Sequence, residues 1–449
     1  MNYLDTDDNI VALATADGLG AVSIIRISGK QIKSTYKLIS KKKNLPRKNS
    51  IYFNKIYSPT SQKHVDDGLI AYFEAPSSFT GESVLEINCH GGNYVANNII
   101  QDLVCSGLAR HALPGEFSFR AFYNGKIDLV QAESINDLIG SESNLYAQGA
   151  LDNINGKLSE KIDAIKKTVV DLLSLIEHEL DFNEDEIDFT NNDQLIKLLL
   201  SVNQKIKEIE SSFLSSKIIR NGIRVLLLGK PNVGKSSLFN YLMGSHRALV
   251  SNISGTTRDS LEAVYEIEGF RVTLIDSAGI IKSSDPLETL AIEKTKAEIE
   301  HAHIVVVLAN KVADLKKYDC LIKDKVSISL LSKSDLINYK NASSEKIKIS
   351  SKNGENIDVF LTELSTKIKS LVGTKNRNAE LLINSRHYEL LSKGRKQIKK
   401  TILLLKENAT HDIVAESILC FLDMLNNIST PVNRKEIINN IFSKFCIGK

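Results

Sequence analysis

Short apolar runs separated by turn-forming residues fill the first 118 or so positions. IVALAT, AVSIIRIS, SIYFNKIY, GLIAYFEA and SVLEINCH are rich in β-branched and aromatic residues, and predict strands of a mixed α+β domain over residues 1–118. From about Phe119 the period lengthens. DLVQAESINDLIGSESNLYAQGALDNINGKLSEKIDAIKKTVVDLLSLIEHEL carries apolar residues at helical spacing and no proline, which predicts long helices over 119–215. Strand–helix alternation returns at RVLLLG, RVTLID, HIVVVLA and VSISLLS, the signature of a parallel α/β sheet over 216–378. HYELLSKGRKQIKKTILLLKEN and AESILCFLDMLNNI are helical again, within 379–449. Helical segments therefore flank the α/β segment, and the simplest assembly is one helical domain with the α/β domain inserted into it.

Composition narrows this picture without redirecting it. A chain of 449 residues predicts roughly three domains. Hydrophobic content of 42% and charged content of 25% are those of a globular protein. A net charge of +3 is too mild to mark a nucleic-acid binder, so any such binding must come from a local patch. Arg395, Lys396, Lys399 and Lys400 on one helix face are such a patch, or a plain solvated face. The five cysteines are scattered, with no CxxC pair, which fits a reducing cytosol and no zinc cage. The start, MNYLDTDDNI, has no apolar core of a secretory signal, and no apolar run approaches the ~20 residues of a membrane span. A cytoplasmic protein off the membrane is the expectation.

The strongest chemistry is GKPNVGKSS, Gly229 to Ser237, between a strand-like run and a helical one. Gly229 and Gly234 let the backbone curl its N–H groups toward phosphate, and the helix N-terminus adds partial positive charge. Lys235 is expected on the β- and γ-phosphates and the Ser236 hydroxyl on Mg²⁺. Next, SGTTRD offers Thr257 as a switch residue for Mg²⁺ and the γ-phosphate. DSAG offers Asp276 for the metal's outer shell and the Gly279 N–H for the γ-phosphate. LLSKSD offers Asp335 to accept from guanine's ring N–H and amine, with Lys333 over the base. Four elements in this order predict a GTPase over an ATPase. Ser332 stands where guanine-specific GTPases usually carry asparagine, so a polar contact that steadies the base and the phosphate loop is expected to be lost, with specificity kept through Asp335 and affinity lowered. Ile280 stands where many GTPases carry a water-positioning glutamine.

With these motifs in hand, the chain resembles the MnmE (TrmE) family of tRNA-modification GTPases over nearly its whole length. RISGK, PSSFTGESVLEINCHGG, LPGEFSFRAFYNGKIDLVQAESINDLI, NSRH and the terminal FCIGK carry the likeness beyond the GTPase motifs. It implies an N-terminal domain that dimerises and binds a formyl- or methylene-tetrahydrofolate, with Arg26, Glu82, Arg120 and Lys449 in the folate site. It implies nucleotide contacts from Asn232, Val233, Gly234, Lys235, Ser236, Ser237, Ser251, Thr256, Thr257, Asp276, Gly279, Lys333, Asp335, Ser350 and Ser351. It implies potassium held by Asn232, Ser251, Ile253 and Thr256, and Glu288 orienting the attacking water. The implied partners are a second copy of the chain, the FAD-dependent protein MnmG (GidA), and tRNA, whose wobble uridine receives an aminomethyl-type group on carbon five. One departure is TADGLGAVSIIRISG, which lacks the arginine of the family's Gly-rich loop. A ribosome-assembly or RNA-binding GTPase is the rival reading of GKPNVGKSSLFN. A folate-binding module with a decayed GTPase is a third.

The tail holds the last open question. NRKEIINNIFSKFCIGK begins with a capping-box pair, Asn433 and Glu436. Ile437, Ile438, Ile441, Phe442 and Phe445 then predict a helix docking its apolar face on the helical domain. Cys446 follows at the helix end. By its residues alone it is a core thiol or a reagent. The resemblance assigns it to the modification chemistry, facing the folate-bearing domain.

Overall fold

The computed structural model describes residues 3, 7–180, 191–244, 261–276, 288–339, 346–373, 381–430 and 441–448. They group into two compact units, each discontinuous in the chain. Met1–Ile139, Asn153–Val202 and Lys393–Lys449 make the first, and Gly140–Asp152 with Asn203–Ser392 make the second.

The first unit opens with β1 (Ile10–Leu13), β2 (Val22–Gly29), β3 (Ser50–Tyr57), β4 (His64–Phe73), β5 (Ser83–His90) and β6 (Arg110–His111). Their order in the sheet is β3-β4-β5-β2-β1-β6, and each neighbouring pair is antiparallel except β1 and β6. Alternation along β2 and β5 sets the register: Ile25 stands opposite Ile87 and Ile27 opposite Leu85. Those four are buried under α1 (Ile32–Ser40) and α2 (Asn93–Cys105), which contribute Tyr36, Ile39, Ile99 and Leu103. Each such side chain withdrawn from water stabilises by about 1.5–3 kcal/mol before entropy is counted. The α+β fold expected of this region is the one observed.

Helices follow as the longer period requires. They are α3 (Glu116–Tyr123), α4 (Leu129–Ile139), α5 (Asn144–Ile154), α6 (Lys157–Leu180), α7 (Asn192–Ser211) and α8 (Phe213–Asn221).

The second unit is built on β7 (Ile223–Leu228), α9 (Lys235–Gly244), β8 (Leu261–Ile267), β9 (Phe270–Asp276), α10 (Glu288–His301), β10 (Ile304–Ala309), α11 (Val312–Leu315), β11 (Val326–Ser332), β12 (Ile347–Ile349) and α12 (Ile357–Val372). The sheet order is β12-β11-β10-β7-β9-β8, parallel throughout except for the β8–β9 hairpin. Its central strands are apolar on both faces, as a sheet covered twice must be. Val225, Leu227, Val306 and Leu308 pack toward α9 and α12, while Leu226, Leu228, Val305 and Val307 pack toward Ile299 of α10 and Leu315 of α11. The carboxyl ends of β7, β9, β10 and β11 meet at one edge, where open α/β sheets bind ligands.

Two further helices follow, α13 (Ser385–Lys406) and α14 (His411–Ser429). In the first unit α14 lies along α6, and Lys166 Nζ donates to Ser429 Oγ at 2.7 Å. Gln397 of α13 donates to Ser417 of α14.

Candidate nucleotide site and C-terminal tail

The loop between β7 and α9 is pressed against the sheet. A Cβ added at Gly229 lies 2.4 Å from the Leu308 carbonyl oxygen, so only glycine lets the loop leave β7 this close to β10. Asn232 takes a left-handed backbone, φ 62°, which asparagine tolerates better than most residues. Lys235 opens α9 and is only 4% exposed. Its Nζ donates to the carbonyls of Gly229 at 2.8 Å and Lys230 at 2.9 Å. Burial holds its pKa below the ordinary lysine value, with Asp276 pulling the other way. An ammonium kept charged in so dry a site gains from a phosphate brought beside it.

Ser236 Oγ donates to Asp276 Oδ2 at 2.7 Å, and Asp276 is fully buried at the end of β9. A hydroxyl beside a carboxylate is a hard-oxygen pair that suits Mg²⁺. Ser236, Ser237 and Asn232 face solvent, whereas Val233 is buried. The fold therefore assembles a lysine, a hydroxyl and a carboxylate from two strand ends and one helix start.

The base end lies after β11 and β12. Asp335 is exposed, and Ser350 Oγ donates to its Oδ1 at 2.8 Å, which braces the carboxylate. Lys333 takes a left-handed turn, φ 63°, and Ser351 is half-buried in the turn after β12. The expected loss at Ser332 does not occur. Its hydroxyl reaches the Val233 carbonyl of the phosphate loop, because β11 ends directly behind that loop. The contact to the loop is kept with a shorter side chain. His303 is structural: its Nδ1 accepts from the Arg224 N–H at 3.0 Å, and burial lowers its pKa.

Ser251, Ile253, Thr256, Thr257, Gly279, Ile280 and Lys449 lie outside the described residues. Glu288 begins α10, and its side chain also lies outside them. Of the implied potassium ligands, only Asn232 is described.

In the first unit the implied folate residues split. Arg120 is fully buried and is no surface cation. It donates to Glu82 Oε2 at 3.0 Å, Asp8 Oδ1 at 2.8 Å and Glu116 Oε1 at 3.2 Å. Arg110 joins Glu116 from the other side at 2.6 Å, and Ser28 donates to Glu82 at 2.7 Å. These bonds place Arg120 directly behind Glu82. Asp8, Arg110 and Glu116 were not singled out from sequence; only the Glu116–Arg120 spacing of four on a helix was there to read.

Arg26 donates to Glu86 at 2.8 Å on the neighbouring strand and to the Gly448 carbonyl at 3.3 Å, joining sheet and tail. Gly448 has φ 95°, and a Cβ there lies 2.2 Å from the Leu13 carbonyl oxygen, so the IGK turn fits the sheet edge only as glycine. Phe442 and Phe445 pack with Tyr3, Phe119, Leu129 and Ala132, resting the tail on α3 and α4. The Gly115 N–H donates to the Cys446 carbonyl at 3.2 Å. Cys446 is exposed, neither a core thiol nor a loose one. Cys89 is its opposite: buried, with its pKa pushed up to about 11 by burial.

A parallel sheet in this order, a phosphate loop after its first strand, a buried carboxylate on the adjacent strand and an exposed aspartate after β11 define a P-loop GTPase. The description "MnmE helical domain" matches residues 129–446, and "GTP-binding protein TrmE N-terminus" matches residues 9–126. The tRNA modification GTPase MnmE of Flavobacterium johnsoniae is 35% identical, across 98% of this chain and 99% of its own. That of Acetivibrio thermocellus is 36% identical, across 99% of both. Among solved structures, the G domain of the T. maritima FeoB iron transporter is 27% identical over 33% of this chain and 98% of its own, with a TM-score of 0.24. The chain belongs to the MnmE family of tRNA-modification GTPases. Among the described residues, no helix is long and apolar enough to cross a membrane.

Proposed function

We propose that this GTPase works in the cytoplasm with the FAD-dependent partner MnmG to attach an aminomethyl-type group to C5 of the wobble uridine in tRNA, drawing one carbon from a tetrahydrofolate. The observation that carries the reading is the FCIGK tail. Its thiol is exposed while the residues on either side are fastened by Phe445 and Gly448. A cysteine held rigidly and left open suits a reagent better than a packing residue. The nucleotide residues belong to the other compact unit, which supports two separate sites on one chain.

Within the nucleotide site, Lys235 and the loop N–H groups bind phosphate, Ser236 and Asp276 hold Mg²⁺, and Asp335, braced by Ser350, reads guanine. Magnesium supplies charge neutralisation at the β- and γ-phosphates. Lys333, Ser351, Val233, Gly234 and Ser237 line the nucleotide, and Thr257 and Gly279 sense the γ-phosphate. Asn232, Ser251, Ile253 and Thr256 hold potassium, which stands in for an arginine finger when two G domains meet, and Glu288 orients water. Arg26, Glu82, Arg120 and Lys449 make up the folate site, Arg120 acting from behind Glu82. Homodimerisation is supported by the edge strand β3, where Ile51 and Phe53 are 63% and 68% exposed.

Steady-state GTP hydrolysis in potassium against sodium tests the activation. Potassium raises the rate at least tenfold, and Asn232→Ala removes most of the gain. Equal rates in the two salts would remove the cation from the reading.

A further inference from the structure

Asn310 stands one residue beyond β10 and belongs to none of the nucleotide motifs. Its side-chain Oδ1 lies 2.9 Å from Ser332 Oγ. That hydroxyl also meets two backbone carbonyls, Val233 most closely and Ala309 at 3.4 Å. Ser332 is only 2% exposed, and the Tyr339 hydroxyl donates to its carbonyl, so its position is fixed. A hydroxyl owns a single proton. Given to Val233, its closest acceptor, it leaves Ser332 Oγ to accept. The contact with Asn310 is then attractive only with the NH₂ end of the amide turned inward, and the two ends exchange by a half-turn about one bond.

We propose that Asn310 is a positioning residue of the nucleotide site. Its amide donates to Ser332, whose hydroxyl donates to the Val233 carbonyl, and this two-bond relay does the work of the single asparagine that guanine-specific GTPases usually carry at the position of Ser332. The reach explains the arrangement. Serine alone contacts the loop but lacks a second group to fix the direction of its proton. Asn310, brought beside it from the end of the adjacent strand, supplies that group. Donors in series strengthen one another in a dry site. The relay ties the ends of β10 and β11 to the phosphate loop, so the loop that binds phosphate and the strand that leads to Asp335 hold one geometry.

The proposal rests on the reading of Gly229–Ser237 and Asp335 as the GTP site. That reading is tested apart from it by Asp335→Asn, which shifts preference from GTP towards xanthosine triphosphate and leaves the relay untouched.

The relay is tested by release of a fluorescent guanosine diphosphate from the full chain, with thermal unfolding measured alongside. Asn310→Ala speeds release about five- to tenfold, the worth of one buried hydrogen bond. Asn310→Asp, nearly the same shape but with no proton to donate, does the same or worse. In the Ser332→Asn background, which supplies the amide directly, Asn310→Ala changes release less than about twofold. Wild-type release by Asn310→Asp would mean that Asn310 accepts and that the relay is wrong. An equal Asn310→Ala effect in the Ser332 and Ser332→Asn backgrounds would reduce Asn310 to a packing residue. Unchanged release by Asn310→Ala would overturn the proposal outright.

Discussion

The two sheets of this protein use buried charge in opposite ways. Beside the first sheet, Arg120, Glu116, Glu82, Asp8 and Arg110 pair with one another. Beside the second, the hydrogen bonds of buried Lys235 among the described residues go to the carbonyls of its own loop, with Asp276 acting on it through charge, and Asp335 is exposed. The first arrangement is a closed network that holds a fold. The second is an open one, held ready for a charge that arrives from outside. Burial alone does not distinguish them, since Arg120 and Lys235 are both almost wholly enclosed. What distinguishes them is whether the buried cation already has its counter-ion. A paired buried charge speaks of structure, and one facing mainly backbone dipoles speaks of a ligand.

The sharpest break of that contrast is Arg120→Leu. It leaves Glu116 fully buried with Arg110 as its remaining cation and takes the inner partner from Glu82. The first unit should lose about 3–5 kcal/mol, read as a lowered transition in calorimetry, while nucleotide affinity stays within about twofold. An unchanged transition would mean that Arg120 is no structural cation.

Lys235→Ala is the counterpart. GTP affinity should fall about 100-fold, from the loss of charge-assisted bonds to phosphate, with little change in thermal stability because the buried ammonium hydrogen-bonds only backbone carbonyls among the described residues. A smaller effect follows from pH. Burial lowers the Lys235 pKa in the free protein, and phosphate raises it again. Nucleotide binding therefore takes up a proton on the alkaline side, and affinity falls as pH rises through the lowered lysine range. Titration calorimetry in buffers of different ionisation heat detects that proton. Its absence, with affinity flat across the same range, would show that Lys235 keeps its charge unaided.

The sequence made the second region far more legible than the first. GKPNVGKSS is contiguous, because a strand, a tight loop and a helix start suffice to build an anion cradle, and SKSD is a single turn. The α/β and α+β character of the two sheets was also readable, since burial on one face or two writes itself into hydrophobic period. The closed network was not. Arg120 meets Glu82 across 38 positions and Asp8 across 112, and only folding makes them neighbours. Ser332 misled for the same reason. Judged alone it is a truncated asparagine, whereas its reach to Val233 spans 99 positions and Asn310 stands 22 away. Gly448 reads as the end of a helix, until the Leu13 carbonyl is found where its Cβ would be. Thr257, expected as a switch residue, and residues 433–440 of the helix expected from Asn433 lie outside the described residues.

The claim that joins the two regions is that GTP turnover and modification chemistry are separate acts of one chain, the second depending on Cys446. Nucleoside analysis of tRNA by mass spectrometry, from cells lacking this chain and complemented with Cys446→Ser, tests it most directly. The account predicts wobble uridine without its C5 substituent in those cells, although the purified Cys446→Ser protein folds and hydrolyses GTP at close to the normal rate. Fully modified wobble uridine with Cys446→Ser would make the exposed thiol an idle surface group and contradict the functional reading of the FCIGK tail.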